Sequence, residues 1–348
     1  MSKKRIVVVG SNVAGYMAAI ALKQKLRSQH DVTVISRLDR FVFHPSLIRV
    51  PLGGRTALET GFEVRAAFAD EGIAFRHEAA LRVDLDGRRV ITATTEERYD
   101  FLVLATGAKP NYGAVPGLGP RGYTQSITTL SDAEHARVAF ETLLRAPGPV
   151  VIGDVQHSSG RPVAWEFLLN MGRVLEQRGL TQAAPLTHLT SAGAVGSGRF
   201  TVLANASVAE ITPGQIRLAD GRKLPFAYAM LMPPFCGVDA VRACERITDA
   251  DGFVHVNAFH QTTAYPEVFA AGSAVSTDSL EKSGARSEQM AQLVARNIEA
   301  CINGEQLVEA PARWSPPERL ASSDDGWLVP GSDGGWAQLA FARYFPAL

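Results

Sequence analysis

The sequence predicts an α/β protein of two doubly wound, dinucleotide-binding-type units followed by a short β-hairpin region. Three observations carry that expectation. Residues 5–9, 14–27 and 32–36 read as strand, helix and strand, with a glycine-bounded turn at Gly10 to Gly15 between the first two. A second strand-to-turn start appears at residues 149–153, followed by a helical pattern over 161–178. Finally, the order of strands and turns over residues 81–107 recurs over 206–235, which suggests two related units.

The elements follow in chain order. Residues 5–9 are rich in β-branched side chains, as expected of a buried parallel strand. Residues 14–27 bring Ala, Met, Ile and Leu to one helical face, and VTVIS at 32–36 is the partner strand. Residues 82–99 alternate apolar and polar around Asp86 and Gly87, a hairpin signal, and lead into a buried strand ending at Ala105, Thr106 and Gly107. Ser131, Asp132, Ala133 and Glu134 form a capping box, so a helix is expected to begin at Ser131. Residues 268–272 read as a short buried strand, 286–303 as a helix, and 327–344 as a hairpin around residues 331–335. We expect residues 1–110 plus 252–348 in one domain and 111–251 in the other.

Composition excludes several function classes. The 35 basic residues equal the 35 acidic ones, so the footprint of a nucleic-acid binder is missing. Three cysteines, Cys236, Cys244 and Cys301, do not make a disulfide framework, and none has metal-ligand spacing. No run reaches the roughly 18 apolar residues of a membrane span. The apolar run after the basic N-terminus stops at Gly10, too early for a signal peptide. A reduced, cytoplasmic protein without an integral membrane segment is the expectation.

The chemistry begins at the first turn. A dinucleotide turn needs a small residue at the bend and another where helix meets strand, which Gly10 and Gly15 supply. Asn12 stands for the middle glycine and tolerates unusual backbone geometry better than most residues. The residue closing the second strand, usually acidic, is Ser36, and Arg37 follows it. Ser36 can accept a ribose hydroxyl, while Arg37 suits adenine or a 2′-phosphate, which admits NADP as a rival ligand. The second turn keeps only Gly153 and places Asp154 where phosphates should lie, so a working NAD(P)H site there is not expected.

Five ordered motifs then resemble a known family. They are residues 41–47 (FVFHPSL), Ala105-Thr106-Gly107, residues 233–239 (PPFCGVD), residues 268–273 (VFAAGS) and Lys282-Ser283-Gly284. Their order is similar to that in sulfide:quinone oxidoreductases, in the flavoprotein subunit of flavocytochrome c sulfide dehydrogenase and in type II NADH dehydrogenases. The resemblance implies two Rossmann-like domains holding FAD, with the isoalloxazine between them. It implies that Gly10, Asn12, Ala14 and Gly15 hold the pyrophosphate, Ser36 the ribose, and that Thr106 and Gly107 lie over the adenosine side. Gly272 and Ser273 would meet the ribityl-phosphate, with Ser273 standing for the usual acid, and Pro45 and Lys282 would flank the ring. A lysine at the flavin edge would stabilise the reduced anion.

The departures point away from sulfide. Where the resemblance implies sulfur-carrying cysteines, this sequence has Thr128 and Gly160, and no cysteine follows Cys301. Without a thiolate pair there is no persulfide relay. The relatives' C-terminal amphipathic helices are also not expected before Leu348. Candidate catalytic residues are His44 as a proton carrier, Cys236 as a substrate-contacting thiol or inert core residue, Lys282, His157 at the second turn, and Glu166 as a proton acceptor or a solvated helix residue. Cys301 is expected in the core, and Cys244 has no assigned role. The reading is an FAD-dependent oxidoreductase passing electrons from a small substrate through flavin N5 to quinone, oxygen or a protein acceptor. An NAD(P)H-dependent flavin reductase and a non-catalytic FAD-binding protein remain alternatives. A homodimer is possible on this reading.

Overall fold

The computed structural model describes residues 2–193, 200–277, 284–312, 314, 320–322 and 328–330. Strand β1 (Arg5–Val9) is buried from Ile6 onward, and α1 (Val13–Leu26) packs back over it. The strand β2 (Asp31–Ser36) lies parallel to β1 in the register Ile6 to Val32. A small ribbon follows, β3 (Arg40–Val42) with β4 (Gly61–Glu63), enclosing a 3-10 turn at His44–Arg49. Helix α2 (Val64–Asp70) leads to β5 (Ala74–His77) on the outer side of β2.

Residues 82–98 differ from the expected hairpin. They form a three-stranded meander of β6 (Arg82–Asp84), β7 (Arg89–Ile91) and β8 (Glu96–Arg98). Asp84 Oδ1 accepts from the Gly87 amide at 2.9 Å and shapes the first turn, as the alternation implied. The second turn, at Thr92 and Thr95, carries no glycine and so gave no hairpin signal. The meander feeds β9 (Phe101–Leu104), parallel to β1 on the side opposite β2.

Beyond β10 (Lys109–Pro110), α3 spans Leu130–Arg145. It does not start at Ser131: Thr129 is the cap, its hydroxyl accepting from the Asp132 amide at 3.1 Å. The Thr129-to-Asp132 spacing competes with the Ser131 box and wins. A second parallel sheet then forms from β11 (Val150–Asp154), β12 (Leu186–Leu189) and β13 (Thr201–Leu203), with α4 (Arg161–Gln177) following β11. The meander β14 (Val208–Thr212), β15 (Gln215–Leu218) and β16 (Lys223–Pro225) feeds β17 (Tyr228–Met232), which joins the far side of β11. The internal repeat is therefore real. In each unit a three-stranded meander returns the chain to a strand beside the unit's first.

The chain crosses back through β18 (Phe235–Cys236), antiparallel to β10, and the short helix α5 (Asp239–Arg242). Strand β19 (Val268–Ala270) completes a five-stranded sheet in the order β19-β9-β1-β2-β5. Helix α6 (Gly284–Asn303) packs on α1, burying Met290, Ala291, Val294, Ala295 and Ile298. The first strand of the expected hairpin, β21 (Leu328–Pro330), pairs with β20 (Leu320–Ser322) before it, while the expected turn and second strand fall outside the described residues. Strand β21 touches both α4 and the His44–Arg49 turn.

Core packing joins the two units. Val42, Leu47, Ile48, Val50 and Leu52 come from the first, yet pack with Ile127, Phe140, Phe167 and Met171 of the second.

Candidate dinucleotide and redox site

The C-terminal ends of β1, β9 and β19 meet at one point, the place where open parallel sheets bind ligands. Gly10 holds φ +113°, and a Cβ there would lie 2.2 Å from the Ala105 carbonyl oxygen. Gly15 is tighter still, because its Cβ would lie 2.0 Å from the Gly10 carbonyl oxygen. Gly272, at φ +70°, packs on Ala14, where a Cβ would meet the alanine methyl at 2.7 Å. Gly107 also sits at positive φ, in the turn after β9. These glycines let backbone approach backbone and leave the first turn of α1 open, with no side chain capping it. Its amides and dipole suit a pyrophosphate.

The polar residues of the turn reach outward from it. Ser11 donates to Ser36 Oγ at 2.9 Å, and the Leu38 amide donates to the same oxygen at 3.1 Å. Ser36 is buried at the end of β2. Arg37 is exposed, and its carbonyl pairs with His77 Nε2 at 3.1 Å. Asn12 does more than replace a glycine. Its Oδ1 accepts from the Val42 amide at 3.3 Å and its Nδ2 lies 3.1 Å from His44 Nδ1. The dinucleotide turn is thereby tied to the segment bearing His44 and Pro45. His44 keeps an exposed edge, while the dense protein around it lowers its pKa, opposed by a hydrogen bond to the Val42 backbone. Thr106, Pro45 and Ser273 are half-buried around the same sheet end, and Lys282 lies outside the described residues.

The second unit gathers a different set. Asp154, at the end of β11, is wholly buried; its Oδ2 accepts from the Ser191 hydroxyl at 2.8 Å and amide at 3.3 Å. Arg161 Nε lies 3.9 Å from the same oxygen. Ser158 donates to the Pro233 carbonyl at 2.9 Å and accepts from the Gly160 amide at 3.0 Å. His157 is exposed and held at φ +61°. Glu166 is 5% exposed, which corrects the expectation of a solvated helix residue: it faces inward on α4, where Phe167, Asn170 and Met171 are also buried. Cys236 is buried in β18 beside Lys109, and Cys244 is buried with its thiol toward the Val83 and Ala240 carbonyls. Cys301 is partly exposed and packs on the α1–α6 core, and burial raises its pKa and that of Cys244.

A hydroxyl cluster escaped the sequence reading. Thr128 donates to Asp132 Oδ2 at 2.8 Å, Tyr112 donates to the same oxygen at 2.9 Å, and Ser126 Oγ lies 3.1 Å from Thr128. Burial raises the Tyr112 pKa. Ile127, next in the chain, packs with Leu47 and Ile48, so the cluster adjoins the His44 segment. Only the spacing of Thr128 and Asp132, one helical turn, hinted at it.

Residues 4–154 match the family described as pyridine nucleotide-disulphide oxidoreductase. Over 333 residues the chain is 29% identical to a sulfide-quinone reductase of Aquifex aeolicus, covering 85% of this chain and 76% of the relative. The X-ray structure of the sulfide:quinone oxidoreductase from that bacterium aligns with a TM-score of 0.81 at 28% identity, covering 86% of this chain and 77% of that one. Over the residues matched, the chain is similar to FAD-binding pyridine nucleotide-disulphide oxidoreductases of the sulfide-quinone reductase kind. An NADH dehydrogenase-like protein of Mycobacterium tuberculosis is 26% identical over 311 residues, covering 77% of this chain and 72% of the relative. Like these relatives, the chain is a flavin-dependent oxidoreductase. The glycine cradle fits FAD, since any Cβ at Gly10 or Gly15 would fill the space through which the backbone turns. Among the described residues no helix is long and apolar enough to cross a membrane, and no group of three or more His, Cys, Asp or Glu could hold a metal.

Buried histidines make stability pH-dependent. Burial lowers the pKa of His188, against the opposing charge of Asp154, and lowers that of His260. Unfolded, both titrate near 6.5, so below that pH the unfolded chain binds more protons than the folded one. Their contribution is complete above pH 6.5 and is lost as pH falls through the depressed folded values. The urea midpoint is expected to drop between about pH 7 and about pH 5, and less steeply in His188→Gln. An equally steep drop in the variant would remove His188 from the account.

Proposed function

We propose that this flavoprotein takes electrons from a small substrate other than sulfide or NAD(P)H and passes them to quinone, oxygen or a protein acceptor. The observation that carries the reading is the crowding at Gly160. A Cβ there would lie 2.6 Å from Met232 Cε and 2.8 Å from Met232 Cβ. The position at which the resemblance implies a sulfur-carrying cysteine has no room for one in this packing. At the other implied position Thr128 is held among Tyr112, Ser126 and Asp132. Cys236 and Cys244 are each buried among neighbours of their own, with no disulfide between them.

In this reading FAD supplies hydride and electron acceptance when bound, and the protein supplies position and charge. The first turn of α1 holds the pyrophosphate, Ser36 holds the ribose, and Asn12 sets the His44 ring beside the substrate segment. His44, kept neutral by its surroundings, takes the substrate proton at Nδ1 as the Asn12 Nδ2 contact to that nitrogen gives way. Residues 1–110 plus 252–348 form the FAD domain, and 111–251 form the domain that shapes the substrate cleft. The likeness to NADH dehydrogenase-like proteins supports a second reading with NADH as donor.

Anaerobic titration of the purified protein tests both. The flavin absorbance is expected to survive equimolar and excess sulfide, NADH and NADPH. Bleaching by sulfide within seconds would overturn the first reading, and bleaching by NADH or NADPH would establish the second.

A further inference from the structure

We propose that Asp154 is the residue that makes the second unit refuse adenine dinucleotides. The proposal rests on the reading that NAD(P)H is not the electron donor, and it names the cause. Both units run from a strand through a turn into a helix, but the turns differ: Gly10 lies past β1 at φ +113° just before α1, whereas Gly153 and Asp154 belong to β11 and α4 begins only at Arg161. In the first, Ser11 follows Gly10 and reaches the hydroxyl of Ser36 at the end of β2, at 2.9 Å. In the second, Asp154 follows Gly153 and meets the hydroxyl of Ser191, just past β12, at 2.8 Å. That contact lies where a dinucleotide's adenosine ribose is read. Asp154 takes up both donors of Ser191, its hydroxyl and its amide, so Ser191 can only accept from a ligand there.

Charge acts in the same direction. Asp154 is fully buried, and its Oδ1 has no hydrogen-bond partner. It sits beneath the turn that leads into α4, a helix of 17 residues whose first-turn amides would otherwise attract a pyrophosphate. A buried carboxylate repels that pyrophosphate through a medium that screens poorly. Arg161, the first residue of α4, is the cation best placed to offset the repulsion, yet its Nε lies 3.9 Å from Asp154 Oδ2 and faces the carboxylate. His157 adds bulk, standing exposed at φ +61° in the same turn.

The experiment is a calorimetric titration of the FAD-loaded protein with ADP-ribose, which keeps the adenosine and pyrophosphate but cannot reduce a flavin. Wild type is expected to give no binding heat at millimolar ligand. Asp154→Ser, which recreates the pair of the first turn, is expected to bind at least about tenfold tighter than wild type, through loss of the buried charge. Asp154→Asn keeps the side chain's shape and is expected to recover part of that gain, and it serves if the serine variant does not fold. Variants that keep wild-type FAD content and melting temperature but bind no better would overturn the proposal. So would tight binding by wild type. Wild type that ignores NADH while the variants gain nothing defeats the role of Asp154 alone. Reduction of wild-type flavin by NADH defeats the reading of the donor as well.

Discussion

Gly10→Ala is expected to give a protein that purifies without flavin and melts well below wild type. The added methyl would lie 2.2 Å from the Ala105 carbonyl oxygen, a backbone atom that cannot step aside without moving β9. The backbone itself must hold φ +113°, a conformation L side chains rarely adopt. Strain of this kind costs of order 1–3 kcal/mol, and the backbone clash adds to it, so a total of about 3–5 kcal/mol is expected. Shifting the turn also rotates the amides of α1 away from the position proposed for the pyrophosphate. The ratio of flavin to protein absorbance reads the second effect and a thermal melt the first. A yellow Gly10→Ala protein with full flavin content would show that the turn does not hold the cofactor.

Leu47→Ala should be the next largest. Leu47 is 0% exposed and belongs to the segment that the first unit lends to the core of the second, beside Ile48, Ile127 and Phe167. Truncation of a fully buried leucine costs about 2–5 kcal/mol, with the spread set by how far the cavity collapses. Here collapse would draw in the 3-10 turn that begins at His44 and Pro45, so the segment proposed to meet the substrate should move with it. The expected result is a lower urea midpoint together with a shifted visible spectrum of the bound flavin. A lower midpoint with an unchanged spectrum would mean that the seam stabilises the fold without positioning the site.

The fold was largely legible because its signals are local. The run at residues 5–9, the glycines at 10 and 15 and the periodicity of α1 lie within one βαβ unit, and each can be read from its neighbours. The helix start at Thr129 in place of Ser131 shows the limit of such reading. Two capping patterns overlap by two residues, and the geometry of the incoming loop selects one. The extra strand β8 was missed for a related reason, since its turn is shaped by threonine hydroxyls and not by glycine. The hydrophobic segment from Val42 to Leu52 had no legible partner until the second unit's core came against it.

By itself the sequence determined the cofactor class, the paired architecture and the residues that line the first turn, because these depend on short spacings that the chain carries wherever it goes. Tertiary structure decided what those residues touch. Asn12 meets His44 across 32 positions, Asp154 meets Ser191 across 37, and Tyr112 meets Asp132 across 20. Met232 crowds Gly160 from the end of the neighbouring strand. A hydrogen bond or a clash between distant residues depends on directions that only the packed sheets impose, and composition and periodicity hold no record of them.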